Sequence, residues 1–180
     1  MHQDIERILL DEQEIQTIVA RLGQQITEDY RGKELLVVGV LTGGVFFTAD
    51  LVRAIQLPCT LDFVGVSSYR NTTESGELVM TKDLTLPVAG KDVLVVEDIV
   101  DTGRTLRRLM ELFQRRGAAS VKLCALLDKP AARKTDITAD YVGKQVANEF
   151  LVGYGLDYAQ QYRNLPVIGV LKPEIYDTKP

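Results

Sequence analysis

Apolar residues in this chain fall into two kinds of pattern. Ile15, Ile18, Val19, Leu22 and Ile26 recur at the spacing of one helix face, and Asp11 with Glu14 forms a capping-box start, so residues 11–30 are predicted helical. In contrast, LLVVGVL at 35–41, DVLVVEDI at 92–99 and VKLCALL at 121–127 are almost continuously apolar, as strands covered on both faces are. CTLDFVGVSSY at 59–69 is rich in β-forming residues and runs into RNTTESGE, a polar stretch without periodicity that reads as a loop. GVFFTADLVRAI reads as a helix, and Leu106, Leu109, Met110 and Phe113 share the face of another that Gly117 ends. Shorter β-like pieces recur at DYVG, EFLVGYG and PVIGVL.

Strands alternating with helices predict an α/β architecture, a parallel sheet with right-handed crossovers flanked by helices. No linker, low-complexity segment or repeat interrupts residues 1–180, so one domain is expected. Helical pattern fades after Asp140, which suggests a core over about 30–135 and a small hood built from the N-terminal segment and about 136–180.

Composition narrows the function. With 180 residues, 46% of them hydrophobic, the chain can bury one substantial core. Its 21 basic and 25 acidic residues give a net charge of −4, which offers no basic field for a nucleic-acid backbone. Cys59 and Cys124 form no CxxC pair, and the one histidine is His2, so a zinc site is not expected. Cys124, inside VKLCALL, reads as a small buried hydrophobe in a reducing compartment. MHQDIERILL is no signal peptide and no stretch is long enough to span a membrane, so a cytoplasmic protein is expected.

The candidate chemistry lies in VLVVEDIVDTGRTL, residues 93–106, where Glu97, Asp98 and Asp101 crowd the end of an apolar strand. Ligands bind beyond the carboxyl ends of strands in open parallel sheets. Carboxylates packed this closely raise one another's pKa, and a divalent cation or several hydroxyl donors would satisfy them. Asp101, Thr102, Gly103, Arg104 and Thr105 then turn into a helix, offering amides, hydroxyls and the positive dipole end to a phosphate, with Gly103 allowing close approach. The simpler alternative is a capping turn, with Asp101 or Thr102 satisfying the helix start and the other acids solvated. Other phosphate motifs fail: there is no GxxxxGK[ST], and GYGLDY at 153–158 lacks the third glycine of GxGxxG.

The complete fourteen-residue stretch resembles the phosphoribosyl pyrophosphate (PRPP) motif of type I phosphoribosyltransferases, and further segments resemble the 6-oxopurine (hypoxanthine-guanine) members in order along nearly all of residues 5–176. That resemblance implies a type I phosphoribosyltransferase-like sheet and a transfer from PRPP to a 6-oxopurine in purine salvage. Glu97 and Asp98 would hold the ribose hydroxyls, directly or through Mg2+, and the turn would cradle the 5′-phosphate. LTGG, with Thr42, Gly43 and Gly44, would meet pyrophosphate through backbone amides in a loop that can hold a non-proline cis bond. Thr42 departs from the Lys or Arg common at that position. Ser68 and Tyr69 would open a lid reaching to Lys82. In LLDKP and EFLVGYGLDYAQQYRNLP, Lys129 would donate to the purine oxygen, Phe150 stack on the ring, Leu151 offer backbone groups, Asp157 hold a second magnesium and Arg163 face pyrophosphate. Asp101 would take the purine N7 proton. The resemblance further implies a homodimer or homotetramer. Two rivals are a uracil phosphoribosyltransferase that also binds RNA and a non-catalytic PRPP sensor; the acidic charge disfavours the first, and the presence of Asp101 and Lys129 the second.

Overall fold

The computed structural model describes residues 3–67 and 79–177. Its strands are β1 (Ile5–Leu10), β2 (Leu35–Leu41), β3 (Thr60–Ser67), β4 (Val79–Lys82), β5 (Asp92–Val100), β6 (Ser120–Asp128), β7 (Tyr141–Gln145), β8 (Leu151–Val152) and β9 (Ile168–Leu171). The helices are α1 (Glu12–Asp29), α2 (Val45–Ala54), α3 (Arg104–Arg115) and α4 (Pro173–Tyr176). At the start of α1, Asp11 and Glu14 exchange side-chain to backbone hydrogen bonds of 2.8 and 2.9 Å, the capping box the sequence predicts.

The apolar runs form the middle of a sheet ordered β4-β3-β2-β5-β6-β7, parallel except for the antiparallel edge pair β3/β4. Alternate residues of each run face opposite cores, which is why the runs are continuously apolar. Val37, Leu94 and Leu126 pack with α1 and α2, whereas Val38, Val95 and Leu123 pack with α3. Cys124 is fully buried, and burial pushes its thiol pKa up, as suits a small hydrophobe.

Two features depart from the sequence reading. Strand–helix alternation holds for β2-α2-β3 and β5-α3-β6, but β6 reaches β7 through residues 129–140, whose regular piece is the 3-10 turn Pro130–Ala132. Residues Ile5–Leu10, for which no strand is predicted, form β1, because their partner is distant: β1 pairs with β9, which also pairs with β8, in a separate antiparallel sheet. Among the described residues, no helix is long and apolar enough to cross a membrane.

β2 lies between β3 and β5, so the chain order reverses there. The carboxyl ends of β2 and β5 therefore flank the crevice in which such sheets bind ligands.

Candidate functional site

Parallel pairing of β2 with β5 brings the LTGG loop alongside Glu97 and Asp98. Gly43 lies against the Asp98 carboxylate so closely that an added Cβ would stand 2.0 Å from Oδ2, so a side chain there would displace that carboxylate. The Leu41–Thr42 peptide bond is cis. The Gly44 N–H donates to Val40 O at 3.0 Å, so that amide is engaged within the loop, whereas the Gly43 N–H has no acceptor among the described residues.

Burial and the neighbouring Asp98 charge push the pKa of Glu97 well above the usual carboxylate range. Burial also raises that of Asp98, with hydrogen bonds to Glu97 and Ile99 and the charge of Arg163 pulling it back. Two such carboxyls resist ionising together, which makes them receptive to a cation or to hydroxyl donors.

The next turn leaves the start of α3 open. Gly103 is the N-cap residue at φ 78°, and no side chain caps the helix, so neither Asp101 nor Thr102 fills the capping role. A Cβ on Gly103 would lie 2.4 Å from Ile137 Cγ2 and 2.6 Å from Thr135 Oγ1. Its positive φ and the packing of residues 129–140 both call for glycine at this position.

The expected site residues divide between two adjoining cavities. Thr42, Gly43, Glu97, Asp98, Thr105 and Arg163 border a cleft of about 680 Å³. Asp101, Lys129, Phe150 and Leu151 border a pocket of about 370 Å³. Asp157 and Ile99 border both. Gly44, Thr102, Gly103 and Arg104 line neither, and Arg104 is exposed. Ser68 and Tyr69 lie outside the described residues.

Lys129 is 8% exposed and donates to the Glu149 carbonyl at 2.7 Å. Burial lowers its pKa, while the charges of Asp101 and Glu149 act to raise it. Asp157 pairs with Arg163 at 2.8 Å and accepts from the Gln160 N–H at 2.9 Å. Arg163 also donates to the Gly155 carbonyl at 2.6 Å.

Two contributors escaped the sequence reading. Arg133 donates to the carbonyls of Asp101, Val100 and Ile137 and to the Asp128 carboxylate, which locks the β5–α3 turn onto residues 129–140. The charge pair Asp128/Arg133 was its one visible signal, because the other partners are backbone carbonyls. Tyr176, which borders the smaller pocket, carries no sequence signal beyond being an aromatic residue near the end.

Residues 7–159 match the family described as phosphoribosyl transferase domain. The chain is 51% identical over 177 residues to the hypoxanthine-guanine phosphoribosyltransferase of Staphylococcus aureus, covering 98% of this chain and 99% of that protein. A crystal structure of a hypoxanthine phosphoribosyltransferase from Staphylococcus aureus superposes with a TM-score of 0.94 at 51% identity, covering 98% of this chain and 96% of that one. Identity reaches 55% over 177 residues with the bifunctional protein TilS/HprT of Listeria monocytogenes, of whose length the chain spans 27%.

Proposed function

We propose, from the premise that this chain belongs to the phosphoribosyl transferase family and within it to the hypoxanthine-guanine phosphoribosyltransferases, that it transfers the 5-phosphoribosyl group of PRPP to N9 of hypoxanthine or guanine. The products are the nucleotide, IMP or GMP, and pyrophosphate, and the role is purine salvage. One observation carries the reading: an acid-lined cleft with an open helix start adjoins a pocket holding Lys129 and Phe150, and Asp157 borders both.

In this reading the 5′-phosphate rests on the start of α3, held by its backbone amides and Thr105, with Asp101, Thr102, Gly103 and Arg104 completing the turn. Glu97 and Asp98 orient the ribose hydroxyls. The bond from C1′ to the pyrophosphate oxygen breaks with its electron pair going to pyrophosphate, while the purine N9 lone pair forms the new bond to C1′. Thr42, the Gly43 amide and Arg163 share the pyrophosphate charge. Asp101 accepts the N7 proton, and Lys129 donates to O6 of the base. Adenine carries an amino group at that position and cannot accept this hydrogen bond. Phe150 stacks on the purine and Leu151 presents its backbone to the base edge.

Among the described residues, no three acidic, histidine or cysteine side chains converge as a protein-only metal cage. A pair of hard carboxylates, Glu97 and Asp98, with Asp157 across the cleft, nonetheless fits Mg2+, which takes many of its oxygens from water and substrate. Glu97 and Asp98 would hold one ion and Asp157 another, and bound magnesium would neutralise charge on the leaving pyrophosphate. The chain acts as one domain in this reading and, as the family resemblance implies, associates as a homodimer or homotetramer. Incubation with PRPP, magnesium and each base in turn, followed by absorbance, tests the proposal. Nucleotide should form from hypoxanthine or guanine and not from adenine or uracil; no nucleotide from either 6-oxopurine overturns it.

A further inference from the structure

A ring that is to stack on a planar base must be held in one plane. The Phe150 carbonyl, just before the two-residue strand β8, accepts from the Leu171 N–H at 2.8 Å, which fixes the backbone and leaves the plane of the ring to its neighbours. Beside the cluster of Ile5, Val152 and Leu171 on which the ring packs, those neighbours are two tyrosines. Tyr176 stacks against it with centroids 4.8 Å apart and planes 22° from parallel, and Tyr158 meets it edge-on at 5.5 Å and 86°. Tyr176 also borders the pocket that contains Lys129 and Asp101. It is the last residue of α4, whose position is fixed from both sides. The Lys172 N–H donates to Asp4 O at 2.9 Å, and Ile175 packs on the cluster of Ile5, Val152 and Leu171.

We propose that Tyr176 is a positioning residue of the base pocket, holding Phe150 as the middle ring of a three-ring stack so that the incoming purine meets an aromatic face already aligned. The inference rests on the function proposed above for this pocket. It adds the carboxyl-terminal helix, a segment with no part in the transfer chemistry, to the apparatus that binds the base. Pre-alignment acts through the cost of ordering Phe150 on binding, so it bears on the affinity of every planar base alike.

The test is steady-state kinetics of Tyr176→Ala and Tyr176→Phe beside the wild type, varying hypoxanthine, guanine and PRPP separately. An aromatic pair of this kind corresponds to roughly a two- to tenfold effect. Tyr176→Ala should therefore raise the KM for hypoxanthine and for guanine together by about that factor, with kcat, the KM for PRPP and the rejection of adenine unchanged. Tyr176→Phe should match the wild type, because the ring and not the hydroxyl makes the stack. Partial unfolding of the alanine variant would lower the apparent kcat and leave KM alone, so it does not imitate the expected result. An unchanged KM for the bases overturns the proposal; so does a lowered one, which would make Tyr176 a competitor for Phe150, and so does a phenylalanine variant as impaired as the alanine variant. A wild type inactive on both bases overturns the proposed function and this inference together, whereas an active wild type with an indifferent Tyr176 overturns this inference alone.

Discussion

Asp101 and Lys129 border the same small pocket with opposite charges, so each can be tested through what the other still does. Asp101→Asn preserves shape but removes the group proposed to accept the N7 proton. Its kcat should fall by about a hundredfold, the usual scale for losing a general base, while the KM for PRPP stays near the wild-type value. Steady-state kinetics with varied PRPP checks both, and undiminished turnover removes Asp101 from the chemistry. Lys129→Ala acts on selectivity. Its Nζ is held at the pocket by a 2.7 Å bond to the Glu149 carbonyl, so the ammonium is positioned before any base arrives. Without it, hypoxanthine loses a hydrogen bond that adenine never had, and the ratio of adenine to hypoxanthine kcat/KM should rise by roughly tenfold or more. A ratio that does not move means the lysine does not read the purine oxygen.

At the scale of elements, the edge hairpin is held by one buried acid. The Asp62 carboxylate, on β3, accepts from the N–H groups of Phe63, Thr85 and Leu86 at 2.7 to 2.9 Å, from the Thr85 hydroxyl at 2.9 Å and from Lys82 at 3.2 Å. Burial acts to raise its pKa, but the hydrogen bonds outweigh burial and hold it well below the usual range. A depressed folded-state pKa means that the stabilisation is complete above the unfolded value near 3.8 and is lost as pH falls from there toward the folded value. Asp62→Asn should therefore cost about 2 kcal/mol at pH 7. Urea midpoints measured across pH should converge on those of the wild type as the solution is acidified below that point; a constant gap would mean that the charge of Asp62 is not what matters. The same clamp illustrates what the sequence hid. The helix periodicity of α1 and the two-faced runs of β2, β5 and β6 are local patterns, and so is the acidic strand end leading into the glycine turn, so these were legible. Asp62, Arg133 and Tyr176 each depend on at least one partner 20 or more residues away, several of them backbone groups, and such pairings leave no local pattern. β1 was invisible for the same reason, since only Ile5 and Leu10 of its six residues are buried and its partner strand lies at the other end of the chain.

Across the whole molecule, the two sheets share one hydrophobic interior. Leu10, Leu151, Ile168 and Val170 from the small sheet pack in the same cluster as Ile15 of α1, Phe47 of α2 and Leu94 of β5. Polar ties run in parallel: the Tyr154 hydroxyl donates to Asp50 at 2.6 Å, and a Cβ on Gly155 would stand 2.0 Å from the Gly43 carbonyl, so the backbone between β8 and β9 rests directly on the LTGG loop. The exposed Arg7–Glu149 pair at 2.6 Å adds little by comparison. Surfaces joined in this way have no plane along which the small sheet can leave first, so chemical unfolding should be a single cooperative transition. Ile168, fully buried, lies in the small sheet; Ile168→Ala should lower stability by about 2–5 kcal/mol and move the whole curve without splitting it. Far-UV circular dichroism, tyrosine fluorescence and nucleotide formation, followed through the same denaturant series, provide the check. The ends of β5 and β6 supply Asp101 and Lys129 while Phe150 precedes β8 and Asp157 lies between β8 and β9, so activity should vanish along the same curve as secondary structure. Activity lost well before circular dichroism changes would instead mean that the small sheet unfolds on its own and that the shared cluster does not bind the two sheets into one cooperative unit.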